Sequence, residues 1–89
     1  MSFEWDHGKN LANLEKHEID FALAQKLFDG RFVVTRESPR MSEERWRTTG
    51  MLDGRIVTVI WTRRGSSIRL ISARRARREE QGEYRQLHG

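Results

Sequence analysis

The sequence predicts an α+β domain in which two N-terminal helices and one C-terminal helix pack on an antiparallel sheet of three to four strands. Three observations predict it. Apolar residues have helical spacing in the first thirty positions, β-branched and aromatic residues dominate from residue 32 to residue 71, and a helical pattern returns at the end. With 89 residues there is room for one core, so we expect a single domain over residues 1–89.

The N-terminal segment predicts a short edge strand followed by a helix. Phe3 and Trp5 alternate with polar neighbours, and Asp6 is a favoured N-cap residue. A helix is therefore expected from about residue 8 to residue 16, and its core-facing residues would be Leu11 and Leu14.

A second helix is predicted from Asp20 by the same capping argument. Its broad apolar face runs from Phe21 to Phe28, and the dipeptide Asp29-Gly30 ends it.

The centre of the chain predicts an antiparallel meander. Asp53-Gly54 lies between two strand patterns and favours a tight hairpin with positive φ at both turn residues. Residues 56–61 are apolar at odd- and even-numbered positions alike, except for Thr58. This is expected of a central strand that is covered on both faces. The predicted strands are residues 32–35, 45–52, 55–62 and 68–71, with a second turn at Arg64-Gly65.

The last helix is expected to begin after Ser72 and to run from residue 73 to about residue 87. Its first turns, residues 73–78, are densely basic, which opposes the helix macrodipole. Glutamates at helical spacing could offset this charge, for example Glu79 with Arg75. Gly82 weakens the final turns.

The charge is unevenly distributed along the chain. The net charge is +4, and 14 of the 17 basic residues are arginine. Residues 1–44 hold 6 basic and 9 acidic residues, whereas residues 45–89 hold 11 and 4. Because the guanidinium fork suits phosphate oxygens, a polyanion partner is one hypothesis; an Arg-rich solvated surface is the alternative.

The composition also indicates the cellular compartment in which the protein is expected. The chain has no cysteine, so its stability cannot depend on disulfides. No apolar stretch is long enough for a signal peptide or a membrane span, and we expect a cytoplasmic protein with no membrane association.

Several short motifs occur in a recognisable order. They are Trp5-Asp6 with Lys9, then Lys16-His17, then Glu44-Arg45 and Gly50, and finally Ile71-Ser72-Ala73-Arg74 after the last strand. In this order and spacing the chain resembles the BrnT family of type II toxins from Phe3 to about Tyr84. Two positions depart from the family pattern: Glu18 stands where the family usually has glycine, and Gly82 interrupts the final helix.

The resemblance implies a RelE-like ribonuclease that cleaves cellular RNA and arrests translation. It also implies a BrnA-type antitoxin, encoded beside the toxin, which would neutralise it in a hetero-oligomer. That complex would bind operator DNA only through the antitoxin.

RNA cleavage without a metal needs a proton acceptor, cations for the phosphoryl oxygens and an acid for the leaving oxygen. The three histidines are not at ligand spacing, so neither a metal nor another cofactor is expected. The candidate catalytic residues are His17, Arg45, Arg69 and Arg74. The candidate RNA-binding residues are Lys16, Arg64 and Arg75. Arg45, Arg69 and Arg74 are expected to converge on one phosphate.

The same residues could also have purely structural roles. His17 could only bond the last carbonyls of its helix, and Arg69 could simply be the solvent face of a strand. Glu44 could accept a proton or only hold Arg45. Trp5 and Trp61 are expected in the core, and Trp46 in the core or under the antitoxin. A non-catalytic nucleic-acid-binding or antitoxin-binding module is the alternative function.

Overall fold

The computed structural model describes residues 1–89 as three helices and a five-stranded sheet. The strands are β1 (Ser2–Glu4), β2 (Val33–Glu37), β3 (Trp46–Leu52), β4 (Arg55–Arg64) and β5 (Ser67–Arg75). The helices are α1 (His7–His17), α2 (Phe21–Ala24) and α3 (Arg78–His88), and a 3₁₀-helix, Gln25–Phe28, continues α2. The α+β class is confirmed.

The sheet differs from the prediction in size and in direction. Its order is β1-β5-β4-β3-β2, so it has five strands rather than three to four. It is also mixed rather than antiparallel, because β1 pairs with β5 in parallel, with Phe3 opposite Ile68. This pair joins segments that are 65 residues apart in the sequence, and no local pattern encodes it.

The β3–β4 hairpin is as predicted. Asp53 and Gly54 have φ of 50° and 79°, so both turn residues adopt the positive φ that the Asp-Gly signal indicates. The strands pair in register from Trp46 with Trp61 to Leu52 with Arg55.

The predicted start of the last helix is wrong. The segment from Ser72 to Arg75 belongs to β5, where it pairs with residues 57–60 of β4. Helix α3 begins at Arg78, so Ser72 is not its N-cap. The segment is rich in alanine and arginine, which favour helix, but the ladder with β4 overrides that local preference. Gly82 lies inside α3 and does not end it.

The two N-terminal caps are confirmed, but the orientation predicted for the first helix is wrong. Asp6 accepts a hydrogen bond from the Lys9 backbone N–H at 2.8 Å, and Asp20 accepts one from a backbone N–H in α2. Leu11 and Leu14 are exposed at 53% and 39%. The second helix is also shorter than predicted, because its latter half is 3₁₀.

The buried face of α1 is polar instead of apolar. Asn13 donates to the carbonyls of Ile19 and Ala73 at 3.0 and 2.8 Å and accepts from the Ala73 N–H at 3.1 Å. Asn10 accepts from the Phe21 N–H at 2.9 Å. Since β1 pairs with residues 67–69 only, Asn13 satisfies the backbone of β5 where its neighbouring strand has ended.

The sheet is covered on both faces. On one face the segment from Ile19 to Phe28 packs on alternate residues of β4 and β5, forming the larger core. On the other face Tyr84 of α3 packs with Val34, Ile56 and Ala76. The expected places of the tryptophans are confirmed: Trp61 is buried, and Trp5 and Trp46 pack against the larger core.

The connection after α1 uses a left-handed residue. Glu18 has φ 59° and ψ 31°, and its N–H donates to the Leu14 carbonyl at 2.8 Å. This is the helix-ending conformation that glycine adopts without steric cost. It gives a physical reason for the glycine that the resemblance places at this position.

Candidate functional site

Strand register determines which arginines share the face covered by α3. Residues directly opposite one another in a ladder lie on the same face. Thr58 and Thr62, four apart on β4, pair with Arg74 and Arg69, which are five apart on β5. The irregularity between Ile60 and Trp61 absorbs the extra residue. Without it, Arg69 and Arg74 would lie on opposite faces of the sheet.

A cleft of about 400 Å³ lies on this face, between the loop before β3 and the start of α3. Five arginines and two glutamates line it, which leaves three positive charges in excess. The lining residues are Ser38, Pro39, Arg40, Arg45, Arg47, Ile60, Arg74, Arg77, Glu79 and Glu80.

Buried Glu80 organises the charged side chains of the cleft. Its carboxylate accepts two hydrogen bonds from Arg74, at 2.8 and 3.1 Å, and one from Arg47 at 3.4 Å. Thr58 Oγ1 and the Arg77 backbone N–H donate to the same carboxylate at 3.0 and 2.7 Å. The side chain of Glu80 is only 4% exposed and that of Arg74 16%, whereas Arg47 is 32% exposed, so the carboxylate is shielded from solvent and Arg47 lies at the edge of the network.

These donors stabilise the ionised carboxylate of Glu80. Burial raises its pKa, but the hydrogen bonds from Arg74 and the Arg77 N–H outweigh that effect and lower the pKa to about 2. Glu80 therefore carries a full negative charge at neutral pH.

The guanidinium groups of the cleft keep N–H donors that no other group of the protein uses. Arg74 uses both Nη atoms on Glu80, and one of them also donates to the Arg75 carbonyl at 3.3 Å. A guanidinium has five N–H groups, so two remain on Arg74. Arg47 uses one donor and keeps four. Arg45 is bound only by exposed Glu43, at 2.7 Å, and an exposed ion pair of this kind is weak.

The structure brings together two of the seven residues predicted for the site. Arg45 and Arg74 line the cleft. Arg69 shares their face but lies further along β5, where it forms an ion pair with Glu4 at 3.5 Å.

The other four predicted residues do not line the cleft. Lys16 and His17 end α1, Arg64 ends β4, and Arg75 is opposite Val57 on the other face of the sheet. The expected pairing of Glu79 with Arg75 does not occur, because Arg75 is in β5 and not in the helix. Glu43, rather than Glu44, binds Arg45.

Sequence reasoning missed the other five charged residues of the cleft, which are Arg40, Arg47, Arg77, Glu79 and Glu80. A signal for Arg47 was present, since it lies two residues after Arg45 and so shares its face in a strand. Arg77 and Glu80 gave no such signal, because their place depends on where β5 ends and α3 begins.

No group of three or more His, Cys, Asp or Glu side chains could hold a metal ion. None of the helices is both long and apolar enough to cross a membrane.

The protein is thus of the α+β class and has an arginine-rich cleft on one face of its sheet. Comparison with protein families identifies residues 5–80 as a ribonuclease toxin, BrnT, of type II toxin-antitoxin systems. The match covers most of the 89 residues, and the chain belongs to this family. It is thus a toxin of a ribonuclease family, for which type II membership implies an antitoxin protein and an RNA target. No curated protein sequence matches the chain.

Proposed function

We propose that the chain is a metal-independent endoribonuclease with a RelE-like fold, and that it cleaves cytoplasmic RNA in the arginine-lined cleft and arrests translation. A BrnA-type antitoxin would neutralise it and contribute the operator-binding part of the complex. The observation that carries the proposal is the convergence of five guanidinium groups on one cleft. Fixed cations of this kind stabilise the charge that develops on phosphoryl oxygens.

The arginines on this face of the sheet have two roles in this proposal. Arg45, Arg47, Arg74 and Arg77 hold the phosphate whose bond is broken. Arg69 lies on the same face and outside the cleft, where it would contact a neighbouring phosphate of the strand.

The reaction needs a proton acceptor, which we assign to Glu79. Glu79 and Glu80 are the two carboxylates that line the cleft. Glu80 is occupied by its donors, and its lowered pKa makes it a weak base. Glu79 is exposed, lines the cleft and forms none of the six ion pairs. His17, the acceptor suggested by sequence, does not line the cleft.

The proposed step is an internal transfer of the phosphodiester. Glu79 takes the proton of the ribose 2′-hydroxyl, and the 2′-oxygen forms a bond to phosphorus. The bond from phosphorus to the 5′-oxygen breaks, and that oxygen takes a proton from water. Glu79 then gives its proton to the hydroxide left behind, which restores the carboxylate and the water. The products are a 2′,3′-cyclic phosphate and a 5′-hydroxyl end.

Cleavage of RNA by the purified chain in excess EDTA tests the function. We expect cleavage to persist and Arg45→Ala to lower kcat by about 100-fold, as for loss of one oxyanion donor. Arg74→Lys should lower it similarly, since lysine keeps the charge beside Glu80 and lacks the fork. Arg85→Ala removes the same charge from an exposed part of α3 and serves as the control.

Two results would contradict the proposal. Loss of all cleavage on chelation would exclude metal independence. Binding with intact RNA recovered in every buffer would favour the non-catalytic module.

The assignment of Glu79 has a separate test in the rate of cleavage. Glu79→Gln should lower kcat by about 100-fold or more, because glutamine cannot accept the proton. Glu15→Gln makes the same charge change on α1 and should leave kcat unchanged. An unchanged kcat in Glu79→Gln would rule out this acceptor.

A further inference from the structure

The cleft contains a buried negative charge, that of Glu80, which opposes the attraction of RNA. If the cleft only attracted RNA, Glu80 would weaken it, because its carboxylate cancels one of the five guanidinium charges. Burying this carboxylate also has a desolvation cost, which five hydrogen bonds from four residues offset. The arrangement therefore calls for a role other than attraction.

The geometry of the network indicates what that role is. Arg74 and Arg47 come from neighbouring parts of two strands that flank β4, and both reach the same carboxylate. The bidentate contact fixes the plane of the Arg74 guanidinium, and the side chain is only 16% exposed. Its remaining N–H groups are thereby held in one direction before any ligand arrives.

The supports of Glu80 are themselves rigid. Thr58 lies on the central strand and is fully buried, and its hydroxyl also bonds Thr49 at 2.8 Å. The Arg77 N–H fixes the carboxylate from the start of α3. Glu80 is thus tied to the sheet and to the helix at once, which is what a precise orientation of its arginines requires.

We propose that Glu80 is a positioning residue, which lowers the affinity of the cleft for RNA and raises the rate of cleavage by orienting Arg74 and Arg47. This inference rests on the proposed function. It predicts opposite signs for binding and rate when the carboxylate is removed. A purely structural role would lower both together or leave kcat unchanged in the folded fraction.

Glu80→Gln tests the inference, with Glu15→Gln as the control of equal charge change. Affinity is measured with an oligonucleotide whose 2′-hydroxyls are replaced by hydrogen, which cannot be cleaved by this route. We expect Glu80→Gln to bind this probe about threefold more tightly, because one repulsive charge is gone. Its kcat on the matching RNA should fall by about 100-fold, because misplaced arginines no longer meet the phosphate.

A double variant makes the test independent of folding losses. If Glu80 acts partly through Arg74, the loss of cleavage rate in Arg74→Lys/Glu80→Gln should be smaller than the product of the two single losses. Thermal melting identifies the folded fraction, to which all rates are normalised.

The outcomes separate the two proposals. If the wild-type chain cleaves RNA, three results would overturn the positioning role alone. They are an unchanged kcat in Glu80→Gln, weaker probe binding by that variant, and additive losses in the double variant. No cleavage by the wild-type chain would overturn the proposed function and the positioning role with it.

Discussion

At the scale of single residues, the site depends on guanidinium groups that are fixed and still unsaturated. Arg74 is held by Glu80 through two N–H groups and keeps two others for a ligand. Arg45 is the complementary case, since its one ion pair is with exposed Glu43. The cleft thus combines a guanidinium oriented in advance with one that is free to move onto a phosphate.

Glu18 allows a test at the same scale, away from the cleft. Its positive φ costs a residue with a Cβ about 1–2 kcal/mol, and glycine avoids this at an entropic cost of about 0.4–1 kcal/mol. We expect Glu18→Gly to raise the free energy of unfolding by about 0.5–1 kcal/mol, measured by urea denaturation.

The same substitution elsewhere in α1 is the matched control. Glu15 lies within the helix, where glycine should lower the free energy of unfolding by about 1 kcal/mol. A loss of stability in both variants would mean that the left-handed conformation at residue 18 is not strained.

At the scale of elements, the sequence predicted what is encoded locally. The Asp53-Gly54 hairpin and the caps at Asp6 and Asp20 depend on residues a few positions apart, and all three are confirmed. The predicted buried face of α1 was wrong because the helix turns Asn13 toward the sheet. The amide of Asn13 hydrogen-bonds the backbone of Ala73 at the unpaired edge of β5. A helix that binds a strand backbone need not bury its leucines.

The boundary between β5 and α3 shows why the site was predicted only in part. Local propensity favours helix for residues 73–76, but a ladder with β4 decides the outcome. Arg74 was predicted in the helix but lies in β5, opposite Thr58. In that position it donates to Glu80, which lies in the first turn of the shorter helix α3. Charge and composition indicated an arginine-rich site, but not which arginines would share it.

At the scale of the whole molecule, the charge asymmetry of the chain becomes a feature of the sheet. The N-terminal residues 1–44 are net acidic and residues 45–89 net basic. Since β3, β4 and β5 all come from the basic half, their arginines accumulate on the central strands. The acidic half supplies α1, α2 and the two edge strands. The positive electrostatic potential of these strands would attract a polyanion to the face that carries the cleft, and the attraction would be stronger at low salt.

The Glu80 network also links α3 to the sheet, which predicts how the whole fold responds to acid. The pKa of Glu80 is lowered from 4.5 to about 2 on folding, so between these values the unfolded chain binds more protons than the folded one. The contribution of this carboxylate to stability is therefore complete above pH 4.5 and is lost as the pH falls through 2. Urea denaturation across this range should show a steep loss of stability in the wild-type chain and a shallower one in Glu80→Gln. Glu15→Gln should follow the wild-type slope, and parallel curves for all three proteins would mean that Glu80 is not the group whose protonation loosens α3 from the sheet.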